Sequence, residues 1–192
     1  MKVLGINGSA RYDGNTAIMI NKVFEELNTS GIETELVQLG GSVIQPCKAC
    51  WACGGNENCV HSTDSFRNLF NKMKSADGII LGSPVYCANI SANMQALLER
   101  AAVVSDMNPG LFKHKVGAAV AAARRGGALN TVDVMNHFFL VQDMYVVGSS
   151  YWGMAYGRVP GEVEQDSEGM ETMISLGRNM AHLLKALNER NG

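Results

Sequence analysis

KVLGINGSARYDGNT, residues 2–16, opens the chain with an apolar run that empties into a polar loop and then directly into a helical pattern. A plain strand-to-helix turn needs far less than two glycines, a serine, a threonine, an arginine and an asparagine. A helix N-terminus presents free backbone N–H groups and a partial positive charge, so such a junction is a ready anion site. Ser9, Asn15 and Thr16 can each donate to phosphate oxygens, Arg11 can add a charge-assisted hydrogen bond, and Gly14 lies among them. The loop has neither the Gly-Lys-Ser/Thr ending of a nucleoside-triphosphate loop nor the Gly-x-Gly-x-x-Gly of a dinucleotide fold. The competing reading is an ordinary capped loop with an incidental arginine.

Beyond this loop, apolar runs at 78–81, 115–122 and 144–147 read, like 2–6, as strands buried on both faces; 33–39 alternates and reads as an edge strand. Between them, residues 16–28, 66–74, 92–103, 129–139 and 170–188 carry helical periodicity. This βα alternation predicts an α/β fold, a doubly wound five-stranded parallel sheet of order 2-1-3-4-5. A ligand then sits outside the carboxyl ends of the strands at the switch point between strands 1 and 3, where loops 8–16 and 82–91 meet. No internal repeat or low-complexity tract interrupts the pattern, and residues 1–192 read as one domain.

Charge argues by exclusion. The net charge is −2 and no long basic or acidic block occurs, which excludes a nucleic-acid or polybasic membrane role. The apolar start is too short for a signal peptide and no apolar run reaches a membrane span, so the expected location is cytoplasmic. In a reducing compartment, clustered cysteines point to metal or redox chemistry before disulfides. Four of the five, Cys47, Cys50, Cys53 and Cys59, crowd together, and Cys87 stands apart.

The third strand runs into GSPVYCANIS, residues 82–91. Pro84 cannot continue a ladder, so the chain turns there across the sheet edge. Pro84, Val85 and Tyr86 then offer a surface for a flat ring, with Asn89 and Ser91 beside them; Ser91 is equally suited to cap the helix that follows. After the fourth strand, Arg124, Arg125, Gly126 and Gly127 form a third wall, or a solvated turn. The long stretch 149–167 carries Tyr151, Trp152 and Tyr156, placed to cover a bound ring or to pack the sheet edge.

At these offsets GSARYDGNT, SPVY and RRGG resemble the NADPH-dependent FMN reductases of the flavodoxin-like class, and the cysteine cluster makes the chain similar to that class's iron–sulfur flavoprotein branch. The likeness runs from residue 3 to about residue 185. It implies FMN, with the phosphate on Ser9, Arg11, Asn15 and Thr16 and the isoalloxazine on Pro84, Val85, Tyr86 and Asn89, near the RRGG loop. It also implies NAD(P)H as donor, a small-molecule or redox-protein acceptor, and a homodimer or homotetramer. Flavin chemistry belongs mainly to the flavin, so no catalytic side chain is assigned, and none of His61, His114, His137 and His182 is given that role. The chain departs from the family's pattern with Gln95 and Glu99 where Lys and Asp are usual. It departs again with Ser62, Thr63 and Asp64 where an acidic pair is common. Both departures bear on subunit packing rather than on the flavin motifs.

The cysteine run is Cys47-x2-Cys50-x2-Cys53-x5-Cys59. Zinc normally takes two separated pairs, whereas successive x2 spacing with a fourth cysteine nearby resembles ligation of a [4Fe-4S] cluster. Free thiols, or thiols paired after oxidation, stay open beside it. Three functions follow: an FMN-dependent oxidoreductase taking hydride from NAD(P)H, a non-enzymatic electron carrier with FMN and a cluster serving protein partners, and a flavin-sequestering module.

Overall fold

The computed structural model describes residues 1–61 and 63–190; Ser62, one of the positions compared with the family's acidic pair, lies outside the described residues. The elements are β1 (Lys2–Asn7), α1 (Asn15–Thr29), β2 (Glu33–Gln38), α2 (Phe66–Ser75), β3 (Gly78–Pro84), α3 (Ala92–Asp106), β4 (Val116–Ala123), α4 (Ala128–Val141), β5 (Tyr145–Val146), β6 (Met154–Tyr156) and α5 (Ser167–Arg190), with a 3-10 turn at Glu162–Gln165. The sheet is parallel and ordered β2-β1-β3-β4-β5, with β6 also on β4.

The apolar runs dictate this arrangement. β1, β3 and β4 are buried along nearly their whole length, so both faces of the sheet need covering. On one face α1 and α5 bury Met19, Ile20, Val23, Met173 and Met180 against Val3, Ile80 and Val120. On the other, α2, α3 and α4 supply Phe66, Phe70, Met94, Leu97 and Phe139 against Leu4, Ile6 and Leu81. In register Ile6 lies opposite Leu81, which brings the ends of β1 and β3 together at one edge of the molecule. Among the described residues no helix is long and apolar enough to cross a membrane.

The fifth strand departs from expectation. Read as 144–147 and buried on both faces, it is only the two-residue β5, with Tyr145 and Val146 exposed. The chain then leaves the sheet and returns as β6, pairing Met154–Tyr156 with Ala121–Ala123 of β4. Gly153 makes the return possible: a Cβ there would lie 2.2 Å from the Ala119 carbonyl oxygen. Thus 149–167, read as loop, holds a strand and a 3-10 turn. Apolar content alone does not tell a central strand from a split edge.

Candidate functional site

β1 delivers the loop and fixes its shape. Asn7, fully buried at the end of the strand, donates from Nδ2 to Gln38 Oε1 at 2.5 Å and accepts the Ser9 N–H at Oδ1 at 3.0 Å. Gln38 Nε2 in turn donates to the Ser9 carbonyl at 2.5 Å. Ser9 Oγ accepts the Arg11 N–H at 3.1 Å, which leaves its hydroxyl hydrogen available. Asn7 and Gln38 were not among the expected site residues. The signal for Asn7 was a polar residue directly behind a buried run; nothing local marked Gln38.

α1 then starts with Gly14 as its N-cap and no side chain capping the first turn. Asn15 Oδ1 is buried without a partner, and turning the amide over would present a donor instead. An uncapped helix start beside a buried amide without a partner offers the unpaired groups that an anion-binding junction uses.

These residues line one cleft of about 200 Å³. Ser9, Arg11, Gly14, Asn15 and Thr16 form one side, Pro84, Val85 and Tyr86 the other, and Ala122, Arg124, Gly157 and Arg158 close it. Three arginines and no carboxylate line it, so its field favours an anion. Gly157 and Arg158 enter because β6 runs beside β4: the Gly157 N–H donates to the Ala123 carbonyl at 2.8 Å. Glu162 accepts the Arg158 and Val159 N–H groups at 2.6 and 2.9 Å, and these bonds, the Val159 one foremost, hold its carboxyl below its ordinary value.

Asn89, Ser91, Gly126 and Gly127 do not line the cleft. Ser91 caps α3, accepting the Met94 N–H at 3.4 Å. Asn89 closes a tight turn by exchanging backbone bonds with Tyr86 at 2.9 and 3.0 Å. Cys87 and Ala88 at the turn's tip have φ of 51° and 57°, a left-handed conformation costing about 1–2 kcal/mol per non-glycine residue. Contacts from α4 offset that cost: Asn130 Nδ2 donates to the Ala88 carbonyl at 2.6 Å. Gly127, at φ 88°, packs so closely that a Cβ would meet Ala88 Cα at 2.8 Å. Gly127 therefore shapes the wall without forming it. Tyr151 and Trp152 line a separate hollow beside β4, with Val146, Val147 and Leu176.

A second cavity lies between residues 45–64 and α3. Cys47, Cys50, Cys53 and Cys59 all line it, together with Trp51, His61, Asp64 and Arg100. All four thiols are free. Burial pushes the Cys53 thiol up, and the other three cysteines push in the same direction, as expected for thiols gathered around one space. Among the described residues no three Cys, His, Asp or Glu side chains close on a single point as ligands of one ion would. A cluster needs no such point, because its cysteines bind different irons.

The loop carrying these cysteines has no regular structure, yet its ends are clamped. Arg100 on α3, buried, donates to Asp64 Oδ2 at 2.6 Å, to the Gln45 carbonyl at 3.3 Å and to the His61 carbonyl. Its guanidinium also stacks 4.2 Å from the Phe66 ring centroid. Glu99, one residue earlier, accepts the Cys47 N–H at 3.0 Å. Asn108 holds the Cys53 carbonyl at 3.0 Å, and Arg67 the Cys59 carbonyl at 3.2 Å. So Glu99 and Asp64, two of the departures from the family's pattern, both serve this loop.

Comparison with known proteins adds the family. The model of the NADPH-dependent FMN reductase family matches residues 1–158. An iron–sulfur flavoprotein of Methanocaldococcus jannaschii is 37% identical over 197 residues, 98% of this chain and all of that protein. One of Methanosarcina thermophila is 34% identical over 192 residues, 98% of each. Among solved structures, RosB with a bound formylriboflavin phosphate intermediate superposes with a TM-score of 0.79 at 18% identity, covering 98% of this chain and 81% of that one. A WrbA-like flavodoxin of Agrobacterium tumefaciens gives 0.63 at 16% identity, covering 96% and 97%. The last two carry the fold alone, which is flavodoxin-like; the full-length relatives and the family model together establish that the chain belongs to the NADPH-dependent FMN reductase family.

Proposed function

We propose that the protein binds FMN in the cleft at the end of β1 and works as an NAD(P)H-dependent oxidoreductase. The observation that carries this reading is the uncapped, arginine-flanked start of α1 at the switch point of the sheet. Ser9, Asn15, Thr16 and the first-turn N–H groups hold the phosphate, with Arg11 supplying charge. Pro84, Val85 and Tyr86 give the ring one face and keep water from it. Arg124 and Arg158 leave positive charge in excess of what one phosphate needs, which suits an anionic hydride donor. Bound FMN supplies hydride acceptance itself. The side chains bind and orient, and no proton donor is required of them.

Anaerobic addition of NADPH or NADH should bleach the flavin absorbance with saturable kinetics. A spectrum unmoved by either nucleotide would remove the nicotinamide step. Replacing His61, His114, His137 and His182 singly should leave that rate within a few-fold of the parent. An essential general acid or base would instead cost about 10²–10⁴-fold. Replacing Arg11 and Thr16 together by alanine should weaken FMN binding roughly ten- to a hundredfold, from a charge-assisted bond worth about 1.5–3 kcal/mol. Fluorescence titration with an unchanged dissociation constant would refute the phosphate assignment.

The cysteine cavity favours a second component. Cys47, Cys50, Cys53 and Cys59 suit a [4Fe-4S] cluster, which supplies one-electron exchange when bound. With it, an electron-transfer flavoprotein serving a redox protein becomes the alternative. Nicotinamide turnover with a soluble acceptor separates the two. The exposed aromatic rings of Tyr86, Tyr151, Trp152 and Tyr156 support a homodimer or homotetramer.

A further inference from the structure

His61 was set aside as a catalytic residue, yet its ring faces the cysteines. Its Nε2 lies 3.6 Å from Cys50 Sγ, within range for a hydrogen bond to sulfur, and the ring lines the same cavity as the four thiols. Its backbone is held too: the His61 carbonyl accepts from Arg100, whose guanidinium is locked by Asp64 and stacked on Phe66. The backbone that carries the ring is therefore held by a rigid buried group. Among the described residues the other cysteine sulfur with a close donor is that of Cys47, and its partner is the local Ala49 N–H at 3.4 Å.

We propose that His61 donates a hydrogen bond from Nε2 to the Cys50 sulfur and so raises the reduction potential of the iron–sulfur cluster; this rests on the cluster assignment above. A ligated cysteine sulfur carries no proton and can only accept, so the ring nitrogen facing it must carry the hydrogen. A reduced cluster holds one more negative charge than an oxidised one, and the excess is shared by its sulfurs. A donor at a sulfur therefore stabilises the reduced form more, as hydrogen bonds to cluster sulfurs generally do. His61 tunes the site and does not ligate it.

The test is a mediated redox titration of anaerobically reconstituted protein, with the cluster followed by electron paramagnetic resonance and the flavin by absorbance. In His61→Leu, the ratio of reduced to oxidised cluster at the parent's midpoint should fall roughly three- to tenfold, tenfold being ~59 mV for a one-electron couple. His61→Gln, which keeps an N–H at similar reach, should restore most of it. The flavin potential should stay at the parent's value in both. A cluster potential unchanged in His61→Leu, or lowered equally in both variants, would overturn the proposal. So would loss of iron from His61→Leu, which would make the ring a ligand. A parent protein that takes up no iron at all fails differently: it removes the cluster assignment itself.

Discussion

Arg100→Ala should destabilise the protein by about 3–5 kcal/mol, the cost of leaving a buried charge without its partner. Both side chains of the Arg100–Asp64 pair are 3% exposed, so the carboxylate loses its partner in a site shielded from bulk water. Asp64 is committed elsewhere as well, accepting the Gln45 N–H at 2.8 Å and the Phe66 N–H at 3.3 Å. Burial pushes the Asp64 carboxyl up, but the Gln45 N–H and the Arg100 guanidinium outweigh it and hold the group below its ordinary 3.8. A carboxyl depressed in the folded state contributes its stability in full above the unfolded value and loses it as pH falls through the folded one. The parent should therefore weaken below about pH 4. In Arg100→Ala only the upward push of burial and the backbone bonds remain, so the deficit should be largest near neutrality and shrink in acid as Asp64 protonates. Urea unfolding followed by circular dichroism across this range measures both. A pH-independent deficit under about 1 kcal/mol would mean the pair contributes no more than a surface bridge. The double replacement Arg100→Met, Asp64→Leu should recover the part of the loss that comes from a stranded charge, while the backbone groups of Gln45, His61 and Phe66 still lose their partners.

The second large effect is all-or-none. Cys50→Ser should abolish cluster iron while FMN stays bound with affinity within about twofold of the parent, too little to register as a lost hydrogen bond. The two sites share no residue: the cleft is built from the carboxyl ends of β1, β3, β4 and β6 and the start of α1, and the cysteine cavity from residues 45–61, Thr63, Asp64 and α3. Cys50 is exposed, so its replacement leaves no hole in the core and no buried polar group. Iron and sulfide analysis of anaerobically purified protein, with the flavin quantified from the same sample, checks the prediction. Parallel loss of FMN and iron would show that the sites are coupled in a way their separate linings do not explain. Iron retained in Cys50→Ser would remove Cys50 from the ligand set.

What could be read from the sequence was whatever is local along the chain. The doubly wound parallel sheet followed from alternating apolar runs and helical faces, because a run buried on both faces has to be covered by helices on both sides. The cleft residues Ser9, Arg11, Asn15 and Thr16 followed from polar chemistry packed into one strand-to-helix junction, and Pro84 ends β3 at the residue where a missing N–H stops a ladder. The gathering of four thiols followed from their spacing. Tertiary structure alone decided what holds these pieces in place. Arg100 meets Asp64 across 36 residues and Gln45 across 55, and Asn7 meets Gln38 across 31. Periodicity and motif report neighbours a few positions apart and are silent about such pairs. The return of the chain as β6 was equally hidden, since two- and three-residue edge strands carry too little pattern to distinguish from loop, and Gly157 and Arg158 reach the cleft only through that return. Local chemistry thus marked which residues line the cleft. The buried polar contacts that hold those loops rigid arise only when distant segments are brought together and must satisfy one another out of water.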